Sequence, residues 1–213
     1  MSKKDIVLEI GPGKGALTKE LVEKAKKVIA IEKDSRMAEY LKDIPNLEVI
    51  YGDVLKIKLD LIFNKVVANI PFYITGPIIR LFLESENPPK QLTLIIQKEV
   101  AQRICDKKKS SILSLSVWFY ADAKIISYIS KKAFSPIPKV DSAIIQITPK
   151  KKYDINPDKF FKIIKAGFSH PRKQLINNLS KNLDMNKEEL EFLKKVRAED
   201  LSIDNWISLV SRF

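Results

Sequence analysis

The chain has 213 residues, a length that can bury a full hydrophobic core and leave room for one small appendage. Its 45% hydrophobic content excludes wholesale disorder, no apolar stretch is long enough to span a bilayer, and the single cysteine cannot form an internal disulfide, which together favour the reducing cytoplasm. The net charge of +12 predicts an anionic partner, with a merely solvated basic surface as the alternative.

Strands and helices alternate over the first two thirds of the chain. Apolar runs of strand length lie at residues 6–10, 28–31, 47–50, 66–68 and 92–96, and apolar residues at helical spacing follow several of them. Continuous apolar strands separated by helices predict a parallel α/β sheet covered on both faces. From about residue 114 to residue 147 the pattern is more β-like, and we expect Trp118 to pack in the sheet core.

After residue 148 the strand patterns stop, and helices are predicted at residues 160–168, 172–180, 187–195 and 203–212. We therefore expect a domain of residues 1–148 and a small helical domain of residues 149–213. Residues 149–183 hold nine basic and two acidic residues, whereas residues 184–213 hold five and seven. This one-sided excess favours nucleic acid over a membrane as partner, and it makes Lys150, Lys151 and Lys152 candidates for contact with phosphate.

A glycine loop follows the first strand. Gly11 and Gly13 lie between that strand and the next helix, where glycine lets the backbone approach a ligand closely. The spacing also fits a nicotinamide or flavin dinucleotide site, and Glu32, which can accept hydrogen bonds from both ribose hydroxyls, fits either cofactor. Asp53 is placed to accept a hydrogen bond from an adenine amino group, which favours S-adenosylmethionine. Glu9 with Gly11 and Gly13, then Glu32 and then Asp53 form an ordered series of candidate ligand contacts at successive strand ends.

A second motif, Asn69-Ile70-Pro71-Phe72, ends the strand predicted at residues 66–68. The Asn69 side-chain oxygen and the Ile70 carbonyl can both accept hydrogens from one planar amino group. Pro71 restricts its own φ and biases Ile70 to an extended conformation, which holds these acceptors still. The Phe72 ring can stack on the flat molecule that carries the amine. The tetrapeptide therefore predicts a site for the exocyclic amine of a nucleobase, with an ordinary strand-ending turn as the alternative.

In these segments the chain resembles the KsgA-type rRNA adenine N6,N6-dimethyltransferases, which are related to the Erm macrolide-resistance methyltransferases and the mitochondrial transcription factor B proteins. The match runs in family order through residues 7–15, 30–34, 52–53, 67–74, 97–103, 115–117 and 134–142, then 168–179 and 197–202. The segment FSPIPKVDS at residues 134–142 is particular to this family, and the C-terminal match resembles KsgA more than Erm.

The resemblance implies a Rossmann-like class I methyltransferase that uses S-adenosylmethionine to dimethylate adenosines in small-subunit rRNA. Asn69, Ile70, Pro71 and Phe72 would form the catalytic motif, and Asn69 would also border the cofactor. Phe134 would stack on the second face of the adenine, with a core phenylalanine as the alternative. Arg172 and Lys173 would join the RNA-binding residues. No metal and no membrane are implied, and a monomer is expected.

The chain also departs from the family pattern. Members normally carry an N-terminal segment with a Gln-Asn-Phe-Leu motif, and this chain starts almost at the first strand. A misplaced start, a trimmed chain and poorer binding of cofactor and RNA remain alternatives. Phe72 stands where the family usually has tyrosine. A ribosome-assembly or RNA-binding factor with little methylation, and an Erm-like enzyme acting on large-subunit rRNA, stay open as other functions.

Overall fold

A mixed sheet organises the first part of the molecule. The computed structural model describes residues 1–150 and 153–213, with the backbone alone for residue 72. Within these residues seven strands form one sheet in the order β3-β2-β1-β4-β5-β7-β6. The strands are β1 (Ile6–Ile10), β2 (Lys27–Glu32), β3 (Leu47–Tyr51), β4 (Lys65–Asn69), β5 (Gln91–Gln97), β6 (Ala121–Ile129) and β7 (Ser142–Pro149).

The predicted α/β class is confirmed, with one correction. Strands β1 to β5 pair in parallel, as the alternation of strands and helices predicted. Strand β7 instead runs antiparallel to β5, so the expectation of a purely parallel sheet is wrong at this end. Strand β7 follows β6 through residues 130–141, whose helical content is the 3₁₀ turn Lys131–Ala133, and it lies between β5 and β6 in the sheet. The alternation of apolar strands and helices that predicts parallel pairing does not extend to this part of the chain.

The described helices are α1 (Ala16–Lys24), α2 (Ala38–Leu41), α3 (Thr75–Leu83), α4 (Lys98–Cys105), α5 (Ile112–Tyr120), α6 (Pro157–Gly167), α7 (Leu175–Leu183) and α8 (Ile203–Arg212). Helix α1 packs Leu21 and Val22 against Val7, Val28 and Val67 of the sheet. This contact fixes the helix that follows the glycine loop. None of the described helices is long and apolar enough to cross a membrane.

The chain divides into two compact units. Residues 1–101 and 122–149 form what we call the sheet unit, and residues 102–121 and 150–213 form the helical unit. The sequence analysis placed the end of the first domain at residue 148 and kept residues 102–121 in that domain, whereas residues 102–121 belong to the helical unit. The functional roles assigned to the two parts stay predictions.

Two predicted elements in the helical unit are wrong. Residues 112–120 form helix α5 instead of β-like structure, because Ser111 and Ser114 cap each other's backbone N–H groups at its start. The run is apolar on all sides, so its sequence shows no helical period. Trp118 accordingly packs in the core of the helical unit rather than in the sheet, and its ring N–H donates to the Ile104 carbonyl.

The predicted helix at residues 187–195 is replaced by turns and one 3₁₀ segment, Glu191–Leu193. Leu190 and Leu193 are both buried, and their three-residue spacing suits a 3₁₀ turn as well as an α-helix. The chain also adopts positive φ at Asp184 and Lys195, which interrupts helical continuation on either side. Trp206 of α8 is fully buried in the same core, as is Phe160 of α6.

Candidate active site

The polar residues singled out in the first half of the chain meet at one edge of the sheet. Strands β1, β2, β3 and β4 are parallel, so their carboxyl ends lie together, and each end carries one predicted group. These groups are Glu9 with Gly11 and Gly13, then Glu32, then Asp53, then Asn69. In open α/β sheets this carboxyl edge is where ligands bind.

The glycine loop leaves open space beside it. Gly11 and Gly13 have φ of +67° and +56°, in the left-handed region that favours glycine, and a Cβ added at either would meet no atom within 4 Å. The Gly11 N–H donates to the Ile31 carbonyl at 2.9 Å, which ties the loop to β2. The loop therefore forms a fixed backbone cradle with room for a ligand above it.

Glu32, at the end of β2, is held by the backbone around it. Its two carboxylate oxygens accept from the N–H groups of Gly13 at 3.0 Å and Asp34 at 2.8 Å. Its own carbonyl accepts from the Gly52 N–H at 2.8 Å, which links the ends of β2 and β3. Each carboxylate oxygen has two lone pairs, so Glu32 retains acceptor capacity for two further hydroxyl groups.

Glu9 is buried without full compensation. Its side chain is 1% exposed, and among the described residues neither its Oε2 nor the nearby Thr18 Oγ1 has a hydrogen-bond partner of standard geometry. Burial raises the pKa of Glu9 to about 7; the Thr18 hydroxyl opposes this rise, and the charge of Glu32 adds to it. Glu9 is therefore a poorly satisfied acid beneath the glycine loop.

Asp53 lies in the turn that follows β3. Its Oδ1 accepts from the Leu55 N–H at 3.1 Å, and its Oδ2 lies 3.1 Å from Lys33 Nζ. These interactions, with the Leu55 hydrogen bond foremost, hold the pKa of Asp53 below its ordinary value. Asp53 thus stays ionised as an acceptor next to Glu32, and Lys33 is a neighbour that the sequence analysis did not single out.

A cleft of about 400 Å³ opens at the end of β4. It is lined by Asn69, Ile70 and Pro71 from the end of β4 and by Phe134 and Pro136 from the loop between β6 and β7. Asn69 is exposed and Phe134 is half-buried at the cleft, and the predicted stacking role of Phe134 stays a prediction. Residue Phe72 begins the 3₁₀ turn Phe72–Ile74, and its predicted stacking role lies outside the described residues because its side chain is not described.

Asp141 fastens the loop that carries Phe134. Its carboxylate accepts from the Lys131 N–H at 3.0 Å, and its carbonyl accepts from the Lys98 N–H at 3.0 Å. The next residue, Ser142, lines the cleft but is only 1% exposed, and its Oγ has no partner among the described residues. No sequence pattern could indicate that the Ser142 hydroxyl lacks a partner among the described residues.

The basic candidates of the helical unit lie on its surface. Lys150, Arg172 and Lys173 are exposed, whereas Lys151 and Lys152 lie outside the described residues. The turn that holds Arg172 and Lys173 is organised by buried Asn178, whose amide donates to the carbonyls of Gly167 at 2.6 Å and His170 at 3.1 Å. On α6, Lys159, Lys162 and Lys165 are also exposed.

In the described part of the chain no group of three or more His, Cys, Asp or Glu side chains is placed to hold a metal ion. The acceptors at the carboxyl edge instead suit a ligand with hydroxyl and amino donors. Fixed acceptors beside an apolar cleft can bind and orient such a ligand without any side chain acting as a covalent nucleophile.

Comparison with known proteins places the chain in a family. The sequence profile described as "Ribosomal RNA adenine dimethylase" matches residues 1–213. A protein named "Ribosomal RNA small subunit methyltransferase A" from Fusobacterium nucleatum is 41% identical, over 98% of this chain and 86% of that protein. The protein of the same name from Mycoplasmopsis pulmonis is 43% identical, over 95% of this chain and 86% of its own length.

Solved structures agree with this assignment. A dimethyladenosine transferase from Plasmodium falciparum superimposes with a TM-score of 0.83 at 29% identity, covering 100% of this chain and 91% of that one. The 23S rRNA methyltransferase ErmE gives a TM-score of 0.74 at 25% identity, covering 100% of this chain and 92% of that one. These neighbours confirm the Rossmann-like class I methyltransferase fold, and the chain belongs to the ribosomal RNA adenine dimethylase family.

Proposed function

We propose that this protein uses S-adenosylmethionine to dimethylate N6 of adjacent adenosines in small-subunit rRNA. The observation that carries the proposal is the cleft at the end of β4, where the acceptors of Asn69 and Ile70 share one cavity with Phe134. The names of the relatives that are about 40% identical to this chain support the small subunit as the substrate. An rRNA substrate agrees with the cytoplasmic location predicted from the sequence.

The residues at the ends of β1 to β3 fit the cofactor. The open space at Gly11 and Gly13 is a cradle that any Cβ would reduce, and Glu32 has acceptor capacity left for two ribose hydroxyls. Asp53 would accept from the adenine amine, and buried Glu9 offers an unpartnered oxygen beneath the loop. When bound, S-adenosylmethionine supplies an electrophilic methyl group attached to a sulfonium centre.

The cleft residues orient the target base. Asn69 Oδ1 and the Ile70 carbonyl would accept the two N6 hydrogens, which directs the nitrogen lone pair out of the base plane. Phe134 would stack on one face of the adenine and Phe72 on the other. Holding a reactant in this geometry lowers the barrier chiefly through orientation, which can be worth several orders of magnitude in rate. The adenosine must be unstacked to enter the cleft, as for other enzymes that act on a base.

The helical unit would bind the rRNA backbone. Lys150, Arg172 and Lys173 are exposed, and Lys151 and Lys152 extend the same basic segment of the sequence. Each phosphate contact releases counterions, so we expect affinity for the subunit to fall steeply with salt.

The test is to incubate the protein with unmethylated small ribosomal subunits and S-adenosylmethionine and to analyse the nucleosides by mass spectrometry. Dimethyladenosine in the small-subunit rRNA is the expected product. Dimethyladenosine only when large subunits are supplied would favour an Erm-like substrate instead. Salt-sensitive binding to small subunits without any cofactor binding in a calorimeter would contradict the proposal and favour an assembly factor.

A further inference from the structure

The proposed function assigns no role to Tyr128, an exposed aromatic residue near the carboxyl end of β6. Tyr128, on strand β6 at the end of the sheet, is 53% exposed. The Nζ of Lys98 lies 5.2 Å from the centroid of its ring, within the range of a cation–π contact. One face of the ring is thus occupied by a cation, and a large part of the side chain remains open to solvent.

The pair lies close to the cleft. Lys98 directly follows Gln97, which pairs with the cleft residue Ser142 across β5 and β7. The Lys98 N–H also donates to the carbonyl of Asp141, whose carboxylate accepts from the Lys131 N–H and so holds the loop carrying Phe134. Tyr128 and Phe134 are six residues apart in the sequence, so their Cα atoms are at most about 20 Å apart.

The surroundings of Tyr128 are strongly basic. Besides Lys98, the segment 124–141 contributes Lys124, Lys131, Lys132 and Lys139, all exposed. The acids in and next to these segments are Glu99 and Asp122, which have interactions of their own, and Asp141, which is engaged with the loop backbone. Among the residues that the structure describes, none of these five lysines forms an ion pair with a carboxylate. An exposed aromatic ring with a cation on one face, in a segment with more exposed lysines than acids, suits single-stranded nucleic acid, which stacks bases on aromatic rings and places phosphates on cations.

We propose that Tyr128, backed by Lys98, is a stacking platform for an unpaired nucleotide that flanks the target adenosine. The exposed lysines beside it, Lys124, Lys131, Lys132 and Lys139, contact the adjacent phosphates. The platform deepens the proposed function and rests on it for the nature of the RNA. Its mechanical role is to hold the strand after the target base has been unstacked, which keeps the extruded adenosine in the cleft.

The experiment uses short single-stranded oligoribonucleotides that contain two adjacent adenosines, with 2-aminopurine at one flanking position at a time. Stacking on Tyr128 should quench 2-aminopurine at one of these positions, and that position identifies the flanking nucleotide. Tyr128→Leu should abolish the quenching and weaken binding at least about fivefold, whereas Tyr128→Phe should retain both. Ile126→Ala is the matched control, because Ile126 is 52% exposed on the same strand but carries no ring.

Lys98 gives a second readout. Lys98→Gln keeps a side chain of similar length but removes the charge. The slope of log binding constant against log salt concentration should therefore change by less than the loss of one phosphate contact would produce. The quenching should also weaken, because the cation–π contact with Tyr128 is lost. Melting curves from circular dichroism should be the same for all variants, because Tyr128 is exposed and Lys98 is only half-buried. Equal melting curves would show that weaker binding by a variant does not result from unfolding.

The results separate the platform from the proposed function. If wild type quenches the probe and Tyr128→Leu does not, the platform stands even where no dimethyladenosine forms. Equal quenching and equal affinity for wild type, Tyr128→Leu and Tyr128→Phe would overturn the platform, even where all three methylate subunits. Tyr128→Leu could also leave RNA binding unchanged but abolish self-association of the protein. That result would show that this strand contacts a second copy of the chain, and it would overturn the platform as well.

Discussion

The two edges of the parallel sheet differ in how fully their buried polar side chains are hydrogen-bonded within the protein. At the amino edge, Asp5 accepts from the Ser2 N–H at 2.7 Å, from the Asn64 amide at 3.0 Å and from Lys65 Nζ at 2.9 Å. Asn64 Oδ1 in turn accepts from the Ile6 N–H at 2.9 Å. At the carboxyl edge, buried Glu9 Oε2 lacks a partner among the described residues, and Asn69 is exposed to the cleft.

The pKa values of the two carboxyl groups express this difference. The hydrogen bond from Lys65, aided by those from Ser2 and Asn64, holds the pKa of Asp5 far below its ordinary value in spite of burial. Burial raises the pKa of Glu9 to about 7, four residues further along the chain. The amino edge therefore stabilises the fold, whereas the carboxyl edge keeps hydrogen-bonding capacity that a ligand can complete.

Removal of Asp5 should produce the largest loss of stability. Asp5→Ala leaves Lys65, Asn64 and the Ser2 N–H without their shared acceptor, and we expect the free energy of unfolding to fall by about 3–5 kcal/mol. Urea denaturation at neutral pH measures this loss. The wild-type contribution is present above the unfolded pKa near 4 and is lost as the pH falls below it. A change below about 1 kcal/mol would contradict a stabilising amino edge.

The pH dependence of Glu9 has the opposite sign. Its pKa is raised from 4.5 to about 7, so the folded state binds a proton more tightly than the unfolded state. The unfolding free energy of wild type should therefore fall by about 3 kcal/mol as the pH rises from 4 to 8, through this group alone. Glu9→Gln should be progressively more stable than wild type over that range. If the unfolding free energies of wild type and Glu9→Gln changed in the same way with pH, the raised pKa of Glu9 would be contradicted.

Cofactor affinity should depend on Glu32 more than on other acids of the sheet. Glu32→Gln loses one of the two oxygens, and we expect the Kd for S-adenosylmethionine to rise at least about tenfold in calorimetry. Glu48→Gln is the matched control, because Glu48 lies on β3 but is exposed and paired with Lys27. Equal affinities for the two variants would show that the end of β2 is not the ribose site.

The smallest effect is expected at Ser142. Its buried hydroxyl has no partner among the described residues, so Ser142→Ala should leave the stability of the free protein unchanged or raise it by about 1 kcal/mol. Ser110→Ala should instead lower it by about 1 kcal/mol, because the buried Ser110 hydroxyl donates to the Ala198 carbonyl at 3.0 Å. Thermal unfolding of both variants distinguishes the two serines; equal losses would contradict an orphaned Ser142.

The positions at the carboxyl edge could be predicted because Glu9, Glu32, Asp53 and Asn69 each lie at or just after the end of an apolar run. Glu32, Asp53 and Asn69 could therefore be assigned to neighbouring strand ends before any coordinates were known. Helix α5 could not be predicted, because its apolar residues cover every side and only the Ser111–Ser114 cap reveals its type.

Contacts between residues that are distant in the chain also could not be predicted from the sequence. Lys98 and Tyr128 are thirty positions apart, and they meet although β7 lies between β5 and β6 in the sheet order. The missing hydrogen-bond partner of Glu9 Oε2 likewise could not be predicted. The local sequence Glu-x-Gly-x-Gly would be the same whether or not a distant residue supplied that partner. Local patterns predict where side chains project from strands, but not which neighbours satisfy them.

The most direct test of this account compares the asparagines at the two ends of β4. In single-turnover methylation of small subunits, Asn69→Ala should lose at least about 100-fold in rate while its melting temperature stays that of wild type. Asn64→Ala should lower the melting temperature and leave the rate unchanged at a temperature where it is folded, because Asn64 binds Asp5 and Ile6. A wild-type rate for Asn69→Ala would contradict the assignment of the carboxyl edge as the site of methyl transfer.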